Sequence, residues 1–251
     1  MKILVVNDDG IHSRGIASLA KALEEIAEVF VVAPLTEQSA VGHSITMKIP
    51  LRVHRYYKGD EFFGYAVEGT PADCVKMGIR NILKYNPDLV VSGINNGSNA
   101  AINLIYSGTV SAAREAAIMN IPSFAVSVDS HNVDDFTYAG KVAKKFAEIV
   151  AKEGLPKGTL LNINVPDLPE SEIKGIKVTR QSMTRWDDSY EERIDPYGRK
   201  YYWLQGTMQE EKGEDSSYDY FAVKEGYVSV TPVHFDLTDF GAYEKYKNWN
   251  F

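Results

Sequence analysis

The sequence predicts an α/β fold on a doubly wound, mostly parallel sheet, and three observations predict it. The chain opens on a continuous apolar run, Ile3-Leu4-Val5-Val6, without polar alternation, which is how a strand buried on both faces reads. Further short, predominantly apolar strand segments recur at 29–33, 88–92, 123–128 and 160–165, separated in most cases by stretches of helical periodicity; strand–helix–strand order implies parallel pairs joined by right-handed crossovers. Gly, Asn, Asp and Ser gather where several of these runs end, the edge at which open α/β sheets bind ligands.

The first strand stops at Asn7-Asp8-Asp9-Gly10. In a continuing strand two adjacent aspartates point to opposite faces; Gly10 permits the bend that turns both toward one site. Their mutual repulsion is relieved most directly by a divalent cation, although an Asp-Asp-Gly sequence is also an ordinary solvated turn. Ile16, Leu19, Ala20, Leu23 and Ile26 then recur at helical spacing, with Ser13 placed to cap the start. The 29–33 strand ends at Pro34, which makes the opening half Rossmann-like, but no G-x-G-x-x-G follows the first strand and a bound NAD is not expected. The loop 35–44 brings Ser39 and His43 to the rim that carries Asp8.

Residues 53–57 and 62–67 read as a hairpin about Gly59-Asp60. Thr70-Pro71-Ala72-Asp73 announces a helix, with Thr70 as cap, Pro71 in the first turn and Val75, Ile79, Ile82 and Leu83 as its buried stripe. Cys74 adjoins that stripe and is expected to fill core. The 88–92 strand runs into Gly93-Ile94-Asn95-Asn96-Gly97-Ser98-Asn99, read as a loop whose amides offer the neutral oxygens a hard cation such as Mg²⁺ or Mn²⁺ takes. Ser107-Gly108-Thr109-Val110 opens a helix through 111–119, and its free N–H groups and hydroxyls form a candidate phosphate cradle. It lacks the Gly-Lys-Ser/Thr of a Walker A loop. A further helix is expected over 134–152, with Phe136, Ala139, Ala143, Phe146 and Val150 on one face.

Beyond about residue 170, Tyr and Trp become frequent, and Pro196-Tyr197-Gly198 reads as the turn of a β-hairpin arm that packs on another subunit. Residues 212–217 read as a mobile polar loop, 227–232 as a strand, and the chain is expected to end in a short helix. The expected division is therefore an α/β core over 1–175 and a β-rich arm and C-terminal oligomerisation region over 176–251.

At 251 residues and 44% hydrophobic content the chain can bury a large core. A net charge of −7 argues against nucleic-acid polymers and anionic membranes as partners. The single cysteine, Cys74, excludes an intrachain disulfide. With no signal-like segment and no apolar run near the roughly 18 residues of a spanning helix, a cytoplasmic protein is expected.

In order along the chain, Asn7-Asp8-Asp9-Gly10, Ser39 with Gly42-His43-Ser44, Gly69-Thr70-Pro71-Ala72-Asp73-Cys74, Ser92-Gly93-Ile94-Asn95-Asn96-Gly97 and Ser107-Gly108-Thr109-Val110 closely resemble the motifs of the survival protein E (SurE) family of metal-dependent phosphatases acting on nucleoside monophosphates. The resemblance implies a SurE-like doubly wound core and an arm exchanged between subunits in dimers or tetramers, through residues 180–225. It also implies one divalent cation per subunit, Mg²⁺, Mn²⁺ or Co²⁺, on Asp8, Asp9, Ser39 and Asn95, and phosphate contacts at Asn96, Ser107, Gly108 and Thr109. The expected activity is that of a 5'-nucleotidase, with 3'-nucleotides and short polyphosphate as further candidate substrates. Direct attack by water and an aspartyl-phosphate on Asp8 or Asp9 both remain open. So do two readings of His43, as the acid that protonates the leaving alcohol or as a residue that only holds its loop. The rival functions are a nucleotide-sugar glycosyltransferase, which needs a sugar acceptor, and a non-enzymatic nucleotide-binding module, which is stabilised by ligand without turnover.

Overall fold

The computed structural model describes residues 1–249; the final two residues of the expected oligomerisation region lie outside the described residues. The apolar runs form a nine-stranded sheet. Its strands are β1 (Lys2–Val6), β2 (Glu28–Pro34), β3 (Val53–Lys58), β4 (Glu61–Val67), β5 (Leu89–Asn96), β6 (Ser123–Val128), β7 (Thr159–Val165), β8 (Ile176–Val178) and β11 (Val228–His234), in the order β3-β4-β2-β1-β5-β6-β7-β11-β8. The run from β4 through β7 is parallel, while β3 and β11 pair antiparallel to β4 and β7. Strand order reverses at β1, whose neighbours are β2 and β5. The crevice beyond the carboxyl ends of β1 and β5 is thus the topological switch point of the sheet.

Alternation along β1 divides the core. Ile3 and Val5 face helices α1 (Arg14–Glu24) and α5 (Thr137–Glu153) through Ile16, Leu19, Leu23, Ala143 and Phe146. Leu4 and Val6 face α2 (Pro71–Met77) and α4 (Gly108–Ile118) through Cys74, Val75, Ala112 and Ala116. The Cys74 thiol is fully buried and pushed up by desolvation, which agrees with a core role. Both expected caps form: Ser13 accepts from the Ile16 N–H at 3.3 Å, and Thr70 and Asp73 make a reciprocal capping box. Of the expected stripe, Val75 and Ile79 are buried; Ile82 and Leu83, in a π-helical continuation at Gly78–Leu83, are only partly so.

Several boundaries differ from expectation. The fourth long helix starts at Thr137, three residues late, because Phe136 caps it without helical geometry. β5 does not end at Ser92: pairing of Asn95 and Asn96 with Ser127 and Val128 keeps the Gly-Asn stretch extended past a register irregularity. The loop at 212–217 is tied down, not free, since Arg180 N–H donates to Ser217 O and Met183 N–H to a Glu214 carboxylate oxygen, each at 2.9 Å. β8 and β11, from beyond residue 175, complete the main sheet. Three short helices, α3 (Asn103–Tyr106), α6 (Asp219–Lys224) and α7 (Phe240–Tyr246), fill the connections and the C-terminal end. The aromatic arm is a separate antiparallel hairpin, β9 (Arg185–Ile194) and β10 (Lys200–Gln209), exposed almost throughout. Among the described residues no helix is long and apolar enough to cross a membrane.

One close approach governs how α1 seats on the sheet. A Cβ on Gly15 would lie 2.0 Å from the Ile94 carbonyl oxygen. Alanine normally favours a helix interior by up to about 1 kcal/mol, but here the clash is with backbone and cannot be relieved by a rotamer. Gly15→Ala is expected to lower stability by about 1–3 kcal/mol, read as a lower urea midpoint; an unchanged or higher midpoint contradicts this packing.

Candidate active site

The β1–α1 turn carries the two aspartates into the switch-point crevice. Gly10 adopts a φ of +92°, a backbone conformation that side chains disfavour, and the Asn7 amide secures the turn by donating to Gly10 O at 3.0 Å and Ser13 Oγ at 2.9 Å. Asp8 is buried and Asp9 half-buried. The Thr109 hydroxyl donates to Asp8 Oδ1, and the Asn96 N–H donates to Asp9 Oδ2 at 3.3 Å. Among the described residues neither carboxylate has a basic partner in an ion pair. Desolvation raises Asp8 above the ordinary carboxylate range against the Thr109 hydrogen bonds, and desolvation together with the charge of Asp8 pushes Asp9 up to about 7.

Around this pair lies a cleft of about 1180 Å³, above the roughly 300–1,000 Å³ of ordinary small-molecule pockets. Asp8, Asp9, Ser39, Asn95, Asn96 and Ser107 all line it. Asn95 donates from Nδ2 to Gly97 O at 2.7 Å, which leaves its amide oxygen for another partner. The Ser39 hydroxyl donates to Glu37. Ser107 caps α4, accepting from the Val110 N–H at 3.0 Å. Gly108 and Thr109 stand directly behind Asp8: a Cβ on Gly108 would be 2.8 Å from the Asp8 Cβ. A smaller concavity of about 500 Å³ between α1 and α5 is lined largely by lysines and glutamates, several already paired, as Lys144 is with Glu25 at 2.6 Å.

His43 is outside the cleft lining. Its Nε2 lies 2.8 Å from Glu115 Oε2, and Lys76 Nζ lies 2.5 Å from Glu115 Oε1. Desolvation pushes the Glu115 carboxyl up, but the hydrogen bonds from His43 and Lys76 outweigh it and hold it below its ordinary value. The loop bearing Ser39 and His43 is held at further points, through Gln38 N–H to Asp8 O at 2.8 Å, Gly42 N–H to Tyr106 O at 2.9 Å and Thr46 N–H to Asp73 at 3.1 Å. Sequence reasoning missed Glu37, Asn103, Tyr106, Asp129, His131, Trp186 and Tyr220, which also line the cleft. His131 was within reach of the strand-end rule, because it follows β6 by three residues.

Among the described residues no three His, Cys, Asp or Glu side chains are grouped as a metal site. The donor set at the crevice is instead two carboxylates with neutral hydroxyl and amide oxygens, chemistry that suits a hard divalent cation better than a soft one.

A family model described as survival protein SurE matches residues 3–188. The chain belongs to the SurE family. Within it, a 5'-nucleotidase SurE of Syntrophobacter fumaroxidans is 50% identical over 250 residues, covering 100% of both chains. A 5'-nucleotidase SurE of Chlorobaculum tepidum is 48% identical, over 98% of this chain and 94% of its own. The crystal structure of the SurE protein from Aquifex aeolicus superposes with a TM-score of 0.84 at 45% identity, covering 98% of each chain. The SurE resemblance read from short motifs therefore extends along the whole chain, arm included.

The lowered Glu115 carboxyl stabilises the fold above its unfolded-state value, near 4.5, and that contribution is lost as pH falls through the lower folded-state value. Glu115→Gln is expected to cost about 1–3 kcal/mol at neutral pH and to flatten the acid limb of a stability–pH profile. An acid limb parallel to that of the unaltered protein speaks against the network.

Proposed function

We propose that the chain is a divalent-metal-dependent phosphomonoesterase that hydrolyses nucleoside 5'-monophosphates to nucleoside and phosphate. The observation that carries this is the pair Asp8–Asp9, desolvated and without a counter-charge, in the switch-point cleft of a chain that matches 5'-nucleotidases from end to end. The same relatives favour hydrolysis over glycosyl transfer or binding alone.

In this reading Asp8, Asp9, Ser39 and Asn95 hold one Mg²⁺, Mn²⁺ or Co²⁺ ion. When bound, the cation supplies neutralisation of phosphate charge and a water made more acidic. Asn96 presents an exposed amide beside the pair, and Ser107, in the cleft lining, caps α4 with its hydroxyl. The Gly108 N–H belongs to the first turn of α4, where backbone donors and the helix dipole favour an anion, while the Thr109 N–H is engaged by Asp8 and acts on phosphate through that carboxylate. Together these groups would seat the equatorial oxygens and stabilise charge on them in the transition state. Thr109 keeps Asp8 in place through its hydroxyl. Of the two readings of His43, the Glu115 bond supports the one in which it holds its loop, with Ser39 four residues away.

The arm carries Tyr190, Tyr197, Trp203 and Leu204, each more than half exposed. Large apolar groups in such number on a two-stranded hairpin support a second copy of the chain as their cover, and a homodimer or homotetramer assembled through residues 180–225. A cytoplasmic setting suits the reduced, buried Cys74.

Phosphate release from a panel of nucleoside monophosphates, after chelation and after return of Mg²⁺, Mn²⁺ or Co²⁺, tests this. Asp8→Asn and Asp9→Asn are expected to abolish release while remaining folded. Mn²⁺ at about 100 times its Kd should stabilise the unaltered protein by about 2.7 kcal/mol and leave the variants unshifted. Metal-independent release, or equal stabilisation of the variants, rules the reading out.

A further inference from the structure

The cleft has a histidine that the sequence motifs did not single out. His131 lies in its wall on the turn after β6. That turn is pinned from both sides, since Gly97 N–H donates to Val128 O at 3.0 Å, Asp129 N–H to Val165 O at 2.9 Å and Ser130 N–H to Val128 O at 2.8 Å. The imidazole packs on the turn of β5 beside the aspartates: its Cε1 and Nδ1 are 2.9 and 3.1 Å from where a Cβ on Gly97 would stand. The ring is therefore one residue from Asn96, on a wall that continues into the open cleft toward Trp186 and Tyr220.

The contrast with His43 decides its role. One nitrogen of His43 is held by a buried carboxylate outside the cleft lining. Among the described residues neither ring nitrogen of His131 has a hydrogen-bond partner, and the ring is exposed. The other protic groups of the wall fit the task less well: the Asp129 carboxyl, two residues before His131 and pushed up by desolvation, is engaged by Ser98 and lies close enough to the imidazole that a charge on one favours a charge on the other. Asp8 and Asp9 would be taken up in holding the cation, Glu37 is engaged by Ser39, and phenols such as those of Tyr106 and Tyr220 are intrinsically weak acids. Imidazole combines a near-neutral proton with rapid exchange.

Resting on the phosphomonoesterase reading, we propose that His131 is the catalytic acid for the leaving nucleoside. As the ester P–O bond breaks, its electron pair stays on the nucleoside oxygen, which takes the proton from the His131 imidazolium. Water forms the new P–O bond, and the proton that it sheds returns to solvent, from which the imidazole is reprotonated.

Leaving-group dependence tests this directly. With Mn²⁺ present, kcat is measured for the unaltered protein, His131→Ala and His131→Gln on p-nitrophenyl phosphate, ribose 5-phosphate and a nucleoside 5'-monophosphate, with thermal unfolding as the check on folding. Nitrophenolate leaves without a proton, whereas the two sugar alcohols do not. Both variants are expected to lose about 10²-fold in kcat on ribose 5-phosphate and on the nucleotide, and to be little changed on p-nitrophenyl phosphate. Equal losses on all three substrates, no loss on any, or a loss confined to the nucleotide, which marks a contact to the base, each overturn the proposal. If the unaltered protein releases phosphate from none of the three, it is the phosphomonoesterase reading that fails.

Discussion

Two adjacent carboxylates in a poorly solvated crevice are the constraint on which the rest of the structure depends. Like charges on neighbouring residues repel, and loss of water raises the cost of ionising either one. The surrounding elements compensate with neutral donors instead of a basic side chain: a hydroxyl from the first turn of α4 to Asp8, and a main-chain N–H at the end of β5 to Asp9. The Asp8 carbonyl in turn fixes the next loop by accepting from Gln38. A lysine or arginine here would settle the charge permanently. Neutral donors leave the repulsion between the pair unrelieved.

Helix α4 links this crevice to its periphery. Its first turn abuts Asp8, and about two turns further on, roughly 10 Å by helical rise, Glu115 gathers His43 and Lys76. A segment of the 35–52 loop with no regular structure is thereby referenced to the same rigid rod that contacts the carboxylates. Two groups from distant parts of the chain keep a common frame without a strand pairing between them. The alanines that dominate α4 allow it to lie close against β5 and β6, so that the frame is short and stiff.

Much of the architecture was legible because burial on both faces leaves a plain signature: β1 and β2 are continuous apolar runs, β6 and β7 are apolar stretches broken by Ser127 and by Asn162 and Asn164, and α1 and α5 show one apolar face each. The β5 boundary was misread for a physical reason. Gly93, Asn95 and Asn96 are turn-forming residues around the apolar Ile94, and pairing of Asn95 and Asn96 with β6 keeps the stretch extended. Glu115 gave no signal, since a glutamate among alanines looks like solvent-facing helix; its partners stand 39 and 72 residues away in sequence. His131 sits in a stretch of Asp, Ser, His and Asn that reads as an ordinary connection. The aspartates, Ser39, Asn95, Asn96 and Ser107 could be gathered on one rim because each follows a strand or opens a helix, positions that parallel topology brings together. The arm was recognisable from its aromatics, but not the manner of its attachment.

That attachment rests on Asp219. Its carboxylate accepts from Ser182 and Tyr220 N–H groups at 2.8 Å and from Ala101 N–H at 3.1 Å, and desolvation pushes it up to about 6 despite those bonds. Both ends of the excursion from 182 to 219 thus return to one point beside the cleft. The hairpin between them is rooted there, and the lower parts of both its strands stand in the cleft wall. A force applied at the tip, where Tyr197 stands in solvent, is therefore delivered at the root, beside the wall that Trp186 contributes.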